Sequence, residues 1–168
     1  DRPCILFTYA FGKAQRVLAA LAEHTDRTVY LHGAMVALTE LYREAGVAML
    51  PTQPVSELPR DETFNGQLIL APPSAAGSPW MRRFKNASTG FASGWMRIRG
   101  NRRRRGYDQG FELSDHADWP ALLATIRDCG ARTVLTTHGR SDDLVRYLRE
   151  HEGVDARALT TLYGAEDD

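Results

Sequence analysis

The sequence has little cysteine. Only Cys4 and Cys129 occur among 168 residues, and two thiols so placed do not make the disulfide framework of a small secreted domain. Cys4 opens an apolar run and Cys129 stands near a helix end, so both are expected to be reduced core thiols of a cytoplasmic protein. No apolar run approaches the roughly 20 residues that a membrane span needs. The first residue is Asp1 rather than Met, with no basic-then-apolar leader after it, and the start reads as an internal cut in a longer protein. A Walker A loop and a GxGxxG fingerprint are both missing, which removes two common signatures of nucleotide binding. Internal repeats are absent too.

What is present is ordinary in amount and uneven in distribution. A hydrophobic fraction of 43% with 25% charged residues suits a soluble globular chain of one domain or two small lobes. The formal net charge is zero. Yet Arg82, Arg83, Lys85, Arg97, Arg99, Arg102, Arg103, Arg104 and Arg105 fall within 25 residues that contain no acid, leaving twelve cations against twenty-one acids elsewhere. Such a run is ordinarily a solvated face. Here Trp80, Phe84, Phe91, Trp95 and Tyr107 are interleaved with it, and cations mixed with aromatics are what a groove for single-stranded nucleic acid combines.

Periodicity predicts an α/β chain with a mostly parallel sheet. Buried strands are expected over 4–9, 28–31 and 67–71, with helices opening at Gly12 and spanning 34–45 between them. In the second helix Met35, Leu38, Leu41 and Tyr42 share a face. Residues 51–66, with three prolines, read as a long connection and 78–84 as a short helix. The arginine run reads as a surface loop. The α/β pattern then resumes with strands over 111–113, 133–136 and 156–159, and with helices started by Asp118-Trp119-Pro120 and by Ser141.

Two histidines stand out. His116 follows one predicted strand in Ser114-Asp115-His116-Ala117-Asp118, and His138 follows the next in Thr137-His138-Gly139. Ligands of open α/β sheets bind beyond the carboxyl ends of the strands, and imidazole serves there as metal ligand or general acid. The bland alternative is two ordinary loop histidines. His24 and His151 sit near helix ends, where the helix dipole favours them, and His32 at a strand end is a weaker candidate for substrate contact. Gly12-Lys13-Ala14-Gln15 puts a lysine at a helix N-terminus, a ready anion site.

The runs FTYAFGKAQRVL, LILAPPSAAGSPW and ASTGFASGWM (whose ASTG reads as a turn), and above all RGYDQGFELSDHADWPALL followed by THG, resemble the β-CASP branch of metallo-β-lactamase-fold nucleases. Within that branch they resemble most the bacterial ligase-associated DNA exonucleases. The resemblance covers nearly the whole chain. It implies a parallel-sheet β-CASP insert, a nucleic-acid clamp, over residues 1–105, followed over 106–168 by the C-terminal return segment of the hydrolase domain. His138 then matches the last metal-binding histidine. His116 matches the histidine proposed to help protonate the leaving oxygen, flanked by Asp115 and Asp118 as further candidates. Lys13, Trp95 and the nine cations become nucleic-acid contacts.

The resemblance also implies two divalent ions, zinc or manganese, in the full-length protein. The HxHxDH signature that supplies most of their ligands is absent from this sequence, so this chain alone is expected to hold no stable metal pair and to be inactive. Implied partners are DNA, single-stranded or at 3′ ends, together with an ATP-dependent DNA ligase and a helicase, and no membrane. Two alternatives stay open: an RNA-processing nuclease of the same fold, and a non-catalytic nucleic-acid-binding module.

Overall fold

The computed structural model describes residues 1–97, 106–137 and 141–159. They form two compact units, Asp1–Asp115 and His116–Asp168.

The first unit is built on a six-stranded sheet in which every pairing is parallel. The strands are β1 (Cys4–Phe7), β2 (Val29–Leu31), β3 (Thr52–Pro54), β4 (Leu68–Ala71), β5 (Ser88–Ala92) and β6 (Gln109–Phe111), in the order β3-β2-β4-β1-β5-β6. The alternation of a strand sorts their side chains onto two faces. On one face Leu31 and Leu70 pack with Ala14, Val17 and Leu18 of α1 (Lys13–Leu21) and Met35 of α2 (Gly33–Glu44). On the other face Ile5, Phe7, Ile69 and Phe91 meet no α-helix among the described residues. Val55, Phe64, Ala75, Phe84 and Met96, from loops and short 3₁₀ turns, cover them instead. Both faces of a parallel sheet are thus dry, as parallel sheets require.

The second unit has β7 (Thr133–Thr136) paired in parallel with β8 (Asp155–Ala158). Its helices are α3 (Trp119–Asp128) and α4 (Ser141–His151). Among the described residues its buried apolar side chains are Leu123, Leu148 and Ala156.

The α/β architecture and the parallel pairing are as the periodicity predicts, and the differences have local causes. The expected loop 51–66 contains β3, which tolerates Pro54 because it is an edge strand with one neighbour. The ASTG segment is not a turn but the start of β5. A Cβ on its Gly90 would lie 2.9 Å from the Phe111 ring, so the glycine is there to let β6 pack. β6 pairs with β5 two residues earlier than expected and keeps 106–115 with the first compact unit, which ends at Asp115. In α2 the innermost positions are Met35 and Thr39, while Leu41 is 56% exposed. Thr39 is accommodated because its hydroxyl donates to the Met35 carbonyl at 2.8 Å. Neither cysteine is a core thiol. Cys4 is at the exposed first position of β1 and Cys129 at the exposed C-terminus of α3.

Candidate functional site

β1 and β4 are neighbours whose outgoing connections leave on opposite faces, β1 into α1 and β4 into the 3₁₀ turns over the other face. Carboxyl ends at such a point are where open α/β sheets place their ligands. Thr8 follows β1 there, fully buried, and its hydroxyl has no partner among the described residues. Next, Gly12 adopts φ +76° as the N-cap of α1, a conformation that favours glycine.

Lys13 follows, with a side chain only 3% exposed. Its ammonium lies 2.9 Å from Asp115 Oδ1 and 4.8 Å from the centre of the Tyr9 ring. A buried ammonium must be compensated, and the carboxylate and the ring face do so here. A Cβ on Gly12 would lie 4.0 Å from Asp115 Oδ2. The Asp115 carboxylate therefore sits at the start of α1, where the helix dipole favours an anion. The anion position expected for a ligand phosphate is held by the protein's own aspartate.

A second link runs parallel to the first. Arg16, exposed on the same helix, donates from Nη1 to the Ser114 carbonyl at 2.6 Å. Gly94, just past β5, allows Ser114 to come close, since a Cβ there would be 3.1 Å from the Ser114 Cβ. Deeper in, Gln15 donates to the Ala10 carbonyl at 3.1 Å and to the Thr39 hydroxyl at 3.2 Å, while its own carbonyl oxygen is buried without a partner among the described residues. The ends of β1, β5 and β6 are stitched together by these contacts.

Two site residues expected for different roles, Lys13 and Asp115, are thus in direct contact. Asp118 caps α3, its Oδ1 accepting the Ala121 N–H at 2.9 Å. His116 lies in the exposed stretch between β6 and α3. His138 lies outside the described residues, and so does the expected convergence of the two histidines. Arg99, Arg102, Arg103, Arg104 and Arg105 are also outside them.

Of the remaining cations, Arg82 and Lys85 are exposed. Arg97 is 81% exposed, with Glu112 at 3.8 Å, a pairing worth little in water. Arg83 is occupied internally. It donates to the Val55 carbonyl at 2.8 Å, to Leu58 at 3.0 Å and to Pro59, and it lies over the Phe64 ring.

The aromatics expected to stack bases divide sharply. Phe84 and Phe91 belong to the core, and Trp80 and Tyr107 pack against it. Tyr107 stacks on Phe91 at 5.1 Å. Trp95 remains 49% exposed. Sequence reasoning missed Tyr9 (46% exposed), Phe11 (65%) and Phe111 (49%). All three stand at or just past the carboxyl ends of β1 and β6. The available signal was their position at the ends of apolar runs, which reads as strand.

His32 caps α2, accepting the Ala34 N–H on Nδ1 at 3.1 Å, with its ring 4.8 Å from that of Trp80. Burial holds its pKa below the ordinary imidazole value. The Asp108 carboxylate accepts both the backbone N–H (2.8 Å) and the hydroxyl (3.1 Å) of Thr89, bonds that lower its pKa.

In the second unit a depression of about 260 Å³ is lined by Trp119, Asp143, Arg146, Tyr147, Glu150 and His151, none of which was a predicted site residue. Among the described residues no group of three or more His, Cys, Asp or Glu side chains is placed to hold a metal ion. His138, the metal ligand that the resemblance implies, lies outside that set. No described helix is long and apolar enough to cross a membrane.

Comparison with known proteins gives one informative likeness. The chain is 33% identical over 155 residues to a probable DNA ligase of Opitutus terrae. The match takes in 92% of this chain but spans only 15% of that protein. No family model matches the chain, and no solved structure does.

Proposed function

We propose that this chain contributes the nucleic-acid clamp and part of the hydrolase domain of a metal-dependent nuclease that cleaves phosphodiester bonds in DNA, acting as an exonuclease. The observation that carries the proposal is the placement of Ser114-Asp115, the start of the SDHADWP segment, at the carboxyl ends of a parallel sheet, tied to the GKAQ helix by Lys13. Two of the motifs that carry the resemblance are thus linked through a half-buried ion pair. The relative named a probable DNA ligase supports DNA over RNA as the substrate. It also accords with a ligase partner, because a segment like this one is carried within that polypeptide. The name describes that whole protein, and the shared part is a small fraction of it.

In this reading His116 donates a proton to the leaving oxygen, a contribution typically of 10²–10⁴-fold. Exposed Arg82, Lys85 and Arg97 contact the backbone, and a base stacks on exposed Trp95 without sequence preference. The test uses the full-length protein with single-stranded DNA bearing labelled 3′ or 5′ ends. Hydrolysis that requires a divalent ion is expected, with turnover cut by about 10²-fold or more in His116→Ala and with metal content, by elemental analysis, lost in His138→Ala only. DNA binding without hydrolysis at any divalent ion would instead make the chain a binding module.

A further inference from the structure

Between the end of β6 at Phe111 and the start of α3 at Trp119 the chain has no regular structure. Something other than a backbone ladder must fix it. Ser114 and Asp115, immediately before His116, are gripped from one side by α1. Arg16 donates to the Ser114 carbonyl at 2.6 Å, and Lys13 pairs with the Asp115 carboxylate at 2.9 Å. Lys13 and Arg16 are three residues apart and so share a helix face. Lys13 is pre-set by the turn at Gly12 and by burial. The Lys13 ammonium is nearly shielded from water while the Asp115 side chain is 34% exposed. The pair therefore depends on Asp115 staying in place, since a buried cation left alone is far costlier than a half-solvated carboxylate.

From this geometry we infer that Lys13 and Arg16 are positioning residues that hold Ser114 and Asp115, the two residues before His116, rather than contacts to nucleic acid. The inference rests on the nuclease reading and assigns Lys13 a role different from the phosphate contact expected of a helix N-terminus. A proton donor must come within hydrogen-bond reach of the leaving oxygen, and a misplacement of about 1 Å costs on the order of 10²-fold. The cost should fall on turnover and leave substrate affinity alone.

The experiment compares Lys13→Met, Arg16→Met and Arg16→Lys in the full-length protein. Arg16 is exposed, so its variants keep the test valid even where Lys13→Met impairs folding. Glutamyl endopeptidase reads the segment directly, because Glu112 and Asp115 remain in all three. Both Met variants should be cut there about tenfold faster, since local opening sets the rate, while Arg16→Lys, which can still donate to the carbonyl, stays near wild type. In nuclease assays the Met variants should lose about 10- to 100-fold in kcat, with KM and the Kd for single-stranded DNA unchanged. Unchanged proteolysis in Arg16→Met would overturn the inference. So would a raised Kd with kcat intact in Lys13→Met, the signature of a phosphate contact. A wild-type protein without nuclease activity would sink the nuclease reading alone, and the proteolysis would still decide whether the clamp exists.

Discussion

Residues 1–115 and 116–168 solve the same packing problem to different degrees. The first unit covers both faces of its sheet, one with helices and one with loops and 3₁₀ turns. Among the described residues the second covers one face of a two-stranded sheet. Val134 and Ala156 pack with Leu123 and Leu148, whereas Leu135 on the same strand is 56% exposed. Parallel strands normally have both faces buried, and two strands alone are marginal. The contrast shows where apolar pattern and apolar burial part. Val134 and Leu135 are equally strand-like in sequence, and only the arrangement of layers separates them.

The largest effect expected from this contrast comes from matched core deletions. Leu148→Ala removes a fully buried side chain from a small core, with three buried residues among those described, at about 2–5 kcal/mol. A unit of this size has roughly 0.1 kcal/mol per residue to lose. Amide exchange should show the second unit opening while the first stays protected. Phe91→Ala costs about 3–5 kcal/mol in a core that is much larger, and it should lower the melting temperature of the first unit without removing its protection altogether. Equal loss of protection in both would mean that the units fold as one.

The next effect concerns pH. The His32 pKa is lowered by burial, so the folded state favours neutral imidazole, which is also the form that can accept the Ala34 N–H. Its contribution is full above the ordinary imidazole value and is lost as pH falls through that value to the folded one. In the carboxylate range both units weaken. In the second, Glu152 is depressed by its hydrogen bond from Arg127 and Asp155 by its bond from Arg157; in the first, Asp108 is depressed by Thr89. Those contributions are present above the ordinary carboxylate values and disappear below the depressed ones. Melting followed from pH 8 to pH 5 should therefore weaken the first unit earlier than the second. His32→Asn, which keeps an acceptor at the cap, should flatten that decline, and His32→Ala should cost about 1 kcal/mol at neutral pH. A decline that persists in His32→Asn would assign it to another group.

The smallest effect is expected on the bare face. Leu135→Thr should change stability by no more than about 0.5 kcal/mol in the chain as it stands, as exposed substitutions do. A larger loss, measured by urea unfolding, would show that the face is covered in solution and that the contrast between the units is weaker than the burial indicates.

The parallel α/β order was legible because buried strands and amphipathic helices carry their own periods, and Asp118-Trp119-Pro120 carries its own cap. β3 and β5 were not legible. An edge strand with a proline and a strand with a central glycine violate strand propensity, and their neighbours decide the matter. Of the candidate site, the residue types and their place beyond strand ends were visible in Gly12-Lys13-Ala14-Gln15 and Ser114-Asp115-His116. Their contact was not, because 102 residues separate Lys13 from Asp115 and only the sheet order brings the ends of β1 and β6 together.

The sequence by itself determined most of the strands and helices, β3 and β5 excepted, because periodicity and capping are local properties of the chain. It also determined that cations concentrate between residues 82 and 105. Only the tertiary structure decided what several of those side chains do. It turned Arg83 inward onto three backbone carbonyls. It drew Phe84 and Phe91 into the core while leaving Phe11, Trp95 and Phe111 at the surface. It gave the buried Lys13 an aspartate from the far end of the unit as its counter-ion. The reason is the same in each case. A charge or a ring has no fixed role until packing sets how much water it keeps and which opposite group lies within about 3–5 Å of it.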